Sequence, residues 1–160
     1  MRRTAAIVTG ALLVAMIVAA AAFAAEVSRD EYTASAEPIC HKSAKENERI
    51  LANARKELKA GKLKPVAAKF AKASKVQSRA LKELEALPQP SADQARLTKW
   101  LGYLKQEADL FASAGKKLQG GNKAQAERDT AKIAGVANKA NNEVLPFEFR
   151  YCRQEPAKYT

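Results

Sequence analysis

The sequence predicts an all-α domain built as an up-down-up-down four-helix bundle. Three observations lead to this prediction. Beyond residue 25 the apolar residues recur at helical spacing, without the alternation of a strand. Four such segments are separated by short breakers of Gly, Pro and Asn, and short connections make consecutive helices antiparallel neighbours. Cys40 lies near the start of the first segment and Cys152 just after the fourth, which places both at one pole of such a bundle. Two helical hairpins packed as a dimer are the main structural alternative.

The N-terminal segment has the composition of an export signal. Two arginines precede residues 5–25, a mostly apolar run without charged side chains that ends in small residues around Ala22-Phe23-Ala24. This pattern predicts cleavage after Ala24. The run is also about as long as the roughly 20 residues that span a bilayer, so an uncleaved membrane anchor is the alternative. We therefore expect three parts: a signal peptide or anchor at 1–24, the bundle domain at 25–153 and a C-terminal tail at 154–160.

The first helix is predicted from about residue 30 to residue 60. Ser28 or Asp30 can cap its start, and Gly61 suits a left-handed stop after its end. Pro38 lies inside this range, so the helix either kinks at Pro38 or begins there with Pro in its first turn. The predicted inner positions are Tyr32, Ala36, Ile39, Ser43, Ile50, Ala54 and Leu58.

The second helix is predicted from about Pro65 to Leu87, because two prolines, Pro88 and Pro90, end it. Its apolar spacing places one polar side chain, Gln77, on the inner face. The predicted inner positions are Val66, Phe70, Ala73, Gln77, Ala80, Leu84 and Leu87.

The third helix is predicted to open at Ser91, with Gln94 returning the hydrogen bond of a capping box. Gly120-Gly121 ends it, and Asn122 is positioned to cap the fourth helix, which runs to about Leu145 before Pro146. The third helix has an inward seam of Leu97, Leu101, Leu104, Ala108, Phe111, Gly115 and Leu118; that of the fourth is Ala126, Thr130, Ile133, Ala137, Ala140 and Val144.

The two cysteines predict a covalent tie. Cys40 lies near the start of the first helix and Cys152 just after the fourth, so the bundle topology places both at the pole that carries both ends of the domain. Two cysteines in an exported protein pair in one way within the chain. We predict a Cys40–Cys152 disulfide; intermolecular pairing and two free thiols are the alternatives.

The arrangement of these features resembles a group of small exported bacterial helical-bundle proteins with one N-terminal and one C-terminal Cys. The resemblance is carried by Tyr32, Cys40, Leu87-Pro88-Gln89-Pro90, Trp100 and Cys152, across most of residues 30–153. No activity is established for that group, so the resemblance implies architecture and export alone.

A basic stripe is predicted on the second helix. The chain has 28 Lys and Arg against 17 Asp and Glu, and residues 41–82 alone carry most of the excess. Steps of three or four residues place the stripe on one helix face. A solvated outer face is the simple interpretation; attraction to anionic lipid headgroups or a wall polymer is the functional one. Nucleic acid is disfavoured, because no aromatic side chain interleaves the stripe except the core-facing Phe70. The stripe consists of Lys69, Lys72, Lys75, Arg79 and Lys82.

The sequence predicts no enzyme, cofactor or metal site. A structural zinc site takes four ligands, whereas this chain offers Cys40, its neighbour His41 and Cys152 as His or Cys ligands. Carboxylate pairs such as Glu83/Glu85 and Glu107/Asp109 are spaced by two, which separates them on a helix, and we interpret both as solvated surface charge.

We therefore expect an exported, non-enzymatic protein, secreted or retained in the periplasm or cell envelope, that acts there by surface interaction. The first alternative is a small-ligand carrier with a cavity between its helices, lined by Trp100, Tyr103 and Phe111. The second is a membrane-anchored extracellular sensor or spacer, which requires the N-terminal segment to be retained.

Overall fold

The computed structural model describes residues 26–155. The predicted signal or anchor and residues 156–160 lie outside the described residues. Within 26–155 the chain is all-α, without strands, and its four long helices pack against one another, which confirms the predicted bundle. The helices are α1 (Arg29–Leu51), α2 (Ala54–Lys59), α3 (Leu63–Glu85), α4 (Gln94–Gln119) and α5 (Lys123–Glu143), with 3₁₀ turns at Ser91–Asp93 and Leu145–Phe147.

A capping box starts α1. The Ser28 hydroxyl accepts a hydrogen bond from the Glu31 backbone N–H at 3.2 Å, and the Glu31 carboxylate accepts one from the Ser28 N–H at 2.8 Å. Ser28 is therefore the cap, and Asp30 lies in the first turn. The helix begins well before Pro38 and continues past it, so the predicted start at Pro38 is wrong.

The predicted first helix is divided at Asn53. Ala52 leaves the helical region with ψ 128°, Asn53 has φ 63°, and the chain resumes a helix as the six-residue α2. Asn tolerates the left-handed conformation better than most non-glycine residues, so this break costs little conformational free energy. Apolar periodicity continues across the break, so the sequence pattern predicted one helix where the structure has two. Gly61, with φ 75°, stops α2 as predicted.

The connection between α3 and α4 differs from the predicted capping box. Residues 91–93 form a 3₁₀ turn, and the Ser91 hydroxyl donates to the Glu26 carboxylate instead of capping α4. The buried Asp93 accepts two hydrogen bonds from the Arg29 guanidinium, both at 2.9 Å. This bidentate pair ties the start of α1 to the start of α4. The next connection follows the prediction, because the Asn122 side chain accepts from the Gln125 N–H at 3.2 Å.

The predicted disulfide is present. Cys40 and Cys152 are joined with their Cα atoms 5.0 Å apart. The segment after α5 folds back onto α1, where the Glu37 carboxylate accepts hydrogen bonds from the backbone N–H groups of Arg150 and Tyr151. The C-terminal segment is therefore held against α1 by one covalent bond and two charge-assisted hydrogen bonds.

The core is divided into two clusters along the bundle. Near the disulfide, Trp100 is fully buried and stacks on Phe149 with ring centroids 5.5 Å apart. Toward the α1–α2 break, Phe70 and Phe111 meet edge to face at 5.7 Å. The predicted seam of α4 is buried at every position.

Gly115 permits a close approach of α3 and α4. A Cβ atom built there would lie 3.1 Å from the Ala67 carbonyl oxygen, which belongs to the α3 backbone and cannot rotate away. At Gly102 in α4 and Gly135 in α5, an added Cβ would meet nothing within 4 Å. Substitution of Gly115 therefore tests the packing of α3 against α4, whereas substitution of Gly102 or Gly135 tests helix propensity alone.

We expect Gly115→Ala to lower the free energy of unfolding by about 1–3 kcal/mol, because α3 must shift to admit the methyl group. Gly102→Ala and Gly135→Ala, the matched controls, should each raise it by about 0.5–1 kcal/mol through reduced backbone entropy in the unfolded chain. Urea denaturation of the three variants measures this. Stabilisation by Gly115→Ala equal to that of the controls would contradict the close approach.

Candidate ligand-binding groove

The bundle is open along one seam. α3 packs against α4, α4 against α5, and α1 against α3, whereas the backbones of α1 and α5 lie farther apart. Several side chains that face this seam are small, among them Ser43 and Ala44 on α1 and Ala131 and Ala137 on α5. Because such side chains do not fill the space between two helices, the seam is a groove. It holds two cavities.

The first, which we call the polar cavity, lies at the disulfide end of the groove and has a volume of about 320 Å³. Its walls come from α1, α3, α4, α5 and the C-terminal segment. Apolar side chains of the core form much of its surface, and polar groups of α1, α3 and α4 enter it. Its lining includes three polar side chains and three apolar ones: Asn47, Gln77, Glu107, Leu104, Phe111 and Ile133.

The second, which we call the turn cavity, lies beside the α1–α2 break and has a volume of about 600 Å³. Leu51 and Leu58 line it on one side and Thr130 and Ala131 on the other, so the left-handed turn at Asn53 shapes its wall. Glu48 and Phe111 line both cavities. The two cavities are therefore neighbours along one groove.

A buried carboxyl lies in the polar cavity. Glu107 is 2% exposed, and its Oε2 accepts a hydrogen bond of 2.8 Å from the Gln77 side-chain amide. Among residues 26–155, neither its Oε1 nor Oδ1 of the buried Asn47 has a hydrogen-bond partner. Burial raises the pKa of Glu107 to about 7, against the opposing effect of the Gln77 hydrogen bond. Two unsatisfied acceptor oxygens thus belong to side chains that line this cavity.

The interpretation of Glu107 as solvated surface charge is wrong, and a signal for its burial was available. Trp100, Leu104, Glu107, Phe111 and Ala114 recur by four and three, a second inward stripe of α4 that is buried throughout. A carboxyl on such a stripe points inward. The placement of Gln77 on the inner face of its helix is confirmed.

No protein-family model, curated protein or solved structure matches the chain. The resemblance to small exported bundle proteins stays a prediction.

The structure corrects the predicted cavity lining. Phe111 lines both cavities, as expected. Trp100 is 0% exposed within the aromatic cluster, and neither Trp100 nor Tyr103 lines either cavity. The reason is that Phe149 covers Trp100 near the start of α4, whereas Glu107 and Phe111, farther along the same stripe, lie at the groove. Helical spacing does not show this difference along the helix.

The basic stripe on α3 is partly neutralised. Lys69 forms an ion pair with Glu57 at 2.8 Å and donates to the Ala52 carbonyl oxygen at 2.7 Å. Arg79 forms an ion pair with Glu46. The remaining members, Lys72, Lys75 and Lys82, are exposed and have no ion pair within residues 26–155. Binding of this face to anionic lipid or polymer stays a prediction.

The single histidine has a packing contact. His41 stacks on Tyr151 with ring centroids 4.1 Å apart, beside the disulfide. Across residues 26–155, no group of three or more His, Cys, Asp or Glu side chains is placed to hold a metal ion. In the same range, no helix combines the length and apolar character needed to cross a membrane.

Proposed function

We propose that this chain is an exported, non-enzymatic carrier that binds a small ligand in the groove between α1 and α5. The observation that supports it is the open seam with its cavities of about 320 and 600 Å³. Volumes of roughly 300–1,000 Å³ with apolar walls and a few polar groups are typical of small-molecule sites. A ligand in this groove would provide the contacts that α1 and α5 do not make with each other.

The rigidity of the groove supports the same proposal. The disulfide and the Arg29–Asp93 pair hold α1 near one end, and the Arg79–Glu46 pair ties it to α3 farther along. A site that is held open before binding loses less conformational entropy when a ligand enters. The side chains around the groove also favour binding over nucleophilic chemistry, because both cysteines are oxidised and His41 is stacked on Tyr151.

Export and location at the cell envelope belong to this proposal. The signal-like composition of residues 1–24 and the Cys40–Cys152 pair support an oxidising compartment. Lys72, Lys75 and Lys82 of the basic stripe, which are exposed and form no ion pair within residues 26–155, would hold the carrier near anionic lipid headgroups or wall polymer. We favour the carrier over a purely surface-acting protein because Lys69 and Arg79 are already engaged within the fold.

The test is to fill the groove from both sides. Ala44 and Ala131 line the polar and turn cavities respectively, so Ala44→Trp/Ala131→Trp should reduce their volume without changing the buried core. Saturable binding of the neutral fluorophore Nile red is expected for the unmodified protein and should weaken about tenfold or more in this variant.

Ala34→Trp/Ala124→Trp is the matched control, because both alanines are exposed on the same two helices and line neither cavity. It should bind Nile red as the unmodified protein does. Absence of saturable binding, or equal binding by the filled and control variants, would reject the carrier function.

A further inference from the structure

Two acceptor oxygens of side chains that line the polar cavity have no hydrogen-bond donor among residues 26–155. They are Oε1 of Glu107 and Oδ1 of Asn47, and the Gln77 amide is already used on Oε2 of Glu107. A buried acceptor without a donor lowers the stability of the folded state. The cavity is therefore complementary to a group that donates hydrogen bonds and accepts none.

Charge narrows the choice of that group. Glu107 has no ion pair within residues 26–155. The other charged side chains that line the cavity are of both signs: Lys45, Arg150, Arg153, Glu48 and Glu155. An anionic ligand would meet the two acceptor oxygens and be repelled. A protonated amine carries three donors, no acceptor and the opposite charge to an ionised carboxyl.

The remaining surface defines the rest of the ligand. Leu81, Leu104, Phe111 and Ile133 line the polar cavity and belong to three different helices, so an apolar body can contact several of them at once. The volume of about 320 Å³ accommodates a small aryl or alkyl group. A strongly hydrated polyamine would leave its additional charges against these apolar walls.

Given the proposed carrier function, we infer that the polar cavity binds organic monoamines. The ammonium group donates hydrogen bonds to Glu107 and Asn47. The apolar body of the ligand lies against Leu104, Phe111 and Ile133. Glu107 supplies the charge that selects an amine over a neutral molecule of the same shape. Gln77 positions the carboxyl by holding its other oxygen at 2.8 Å.

The experiment compares two probes of matched shape, 2-phenylethylamine and 2-phenylethanol, by isothermal titration calorimetry at pH 8. The unmodified protein should bind the amine about tenfold or more tightly than the alcohol, because a charge-assisted hydrogen bond replaces a neutral one. Glu107→Gln keeps the shape and the acceptor for Gln77, so it should fold and reduce the amine-to-alcohol ratio to about one. Asn47→Ala should weaken amine binding severalfold and leave alcohol binding nearly unchanged.

Asp109→Asn is the control for unspecific attraction of a cation, because Asp109 lies on the same helix and is exposed. It should leave both affinities unchanged. Equal affinity of the unmodified protein for the amine and the alcohol, or a ratio that Glu107→Gln does not change, would overturn the amine site while the carrier function stands. Failure of both probes and of Nile red to bind would reject the carrier function itself.

Discussion

Replacement of both cysteines, Cys40→Ser/Cys152→Ser, is expected to lower the free energy of unfolding by about 4–5 kcal/mol. The bond joins residues 112 apart in sequence and closes a loop that contains α2 to α5 and the part of α1 that follows Cys40. Loop-closure entropy for a crosslink of that span amounts to about 4–5 kcal/mol at room temperature. For a domain whose total stability is typically about 5–15 kcal/mol, this is a large share.

Urea denaturation with and without reductant measures the effect. The unmodified protein in reductant should unfold at nearly the same urea concentration as the double variant in either condition, and the variant should not respond to reductant. A loss below about 1 kcal/mol would contradict the prediction. It would mean that the hydrogen bonds from Arg150 and Tyr151 to Glu37 hold the C-terminal segment without the disulfide.

The second large effect is expected at Glu107. Burial raises the pKa of this carboxyl from 4.5 to about 7, so between these pH values the folded chain keeps a proton that the unfolded chain has released. The free energy of unfolding therefore falls as pH rises through this window, by about 3 kcal/mol once pH exceeds 7. Glu107→Gln removes the titration while keeping the acceptor for Gln77. The variant should match the unmodified protein near pH 4 and exceed its stability by up to about 3 kcal/mol at pH 8.

Unfolding free energies of both proteins from pH 4 to pH 8 test this result. The difference between the two proteins at each pH reports the replacement of Glu107. Asp109→Asn, at an exposed position of the same helix, is the control for loss of a carboxyl that is not buried. A stability difference between Glu107→Gln and the unmodified protein that is independent of pH would contradict the raised pKa. The charged or titratable groups that line the same cavity are His41, Lys45, Glu48, Arg150, Tyr151, Arg153 and Glu155.

The two predictions at Glu107 are connected. An ionised carboxyl with one unsatisfied oxygen lowers the stability of the empty bundle, and an ammonium ligand would offset that cost by supplying both the donor and the charge. Because binding to the folded state adds to its stability, 2-phenylethylamine should protect the unmodified protein at pH 8 more than it protects Glu107→Gln. Loss of stability at a functional group is a common feature of binding sites.

Much of the helical organisation follows from local chemistry. Breakers such as Pro88, Gly61 and Gly121 act over a few residues, so α3, α4 and α5 begin and end close to their predicted positions. The predicted capping box of α4 does not form, because the Ser91 hydroxyl donates to Glu26, a residue distant in sequence. The division between α1 and α2 was missed because Asn53 adopts a left-handed conformation that it favours only weakly by itself.

The groove was predicted only as a general alternative, and two of its three expected lining residues were wrong. Helical spacing separates an inward face from an outward one, and on that basis Trp100 and Glu107 are equivalent members of one α4 stripe. In the bundle, Trp100 meets Phe149 and is enclosed, whereas Glu107 lies where α1 and α5 stand apart. The distance between two helices depends on all the side chains between them, and no local pattern encodes it.

By itself, the sequence determined that the chain is all-α, where three of its long helices lie, and that Cys40 and Cys152 meet, because periodicity, breakers and a single cysteine pair act locally or admit one solution. The tertiary structure alone decided that α1 and α5 do not close on each other, that Glu107 is buried without a charged partner among residues 26–155, and that two of the five residues of the basic stripe are neutralised. Each of these depends on side chains brought together from distant parts of the chain. The geometry of the candidate groove is therefore one of the features that only the tertiary structure decided.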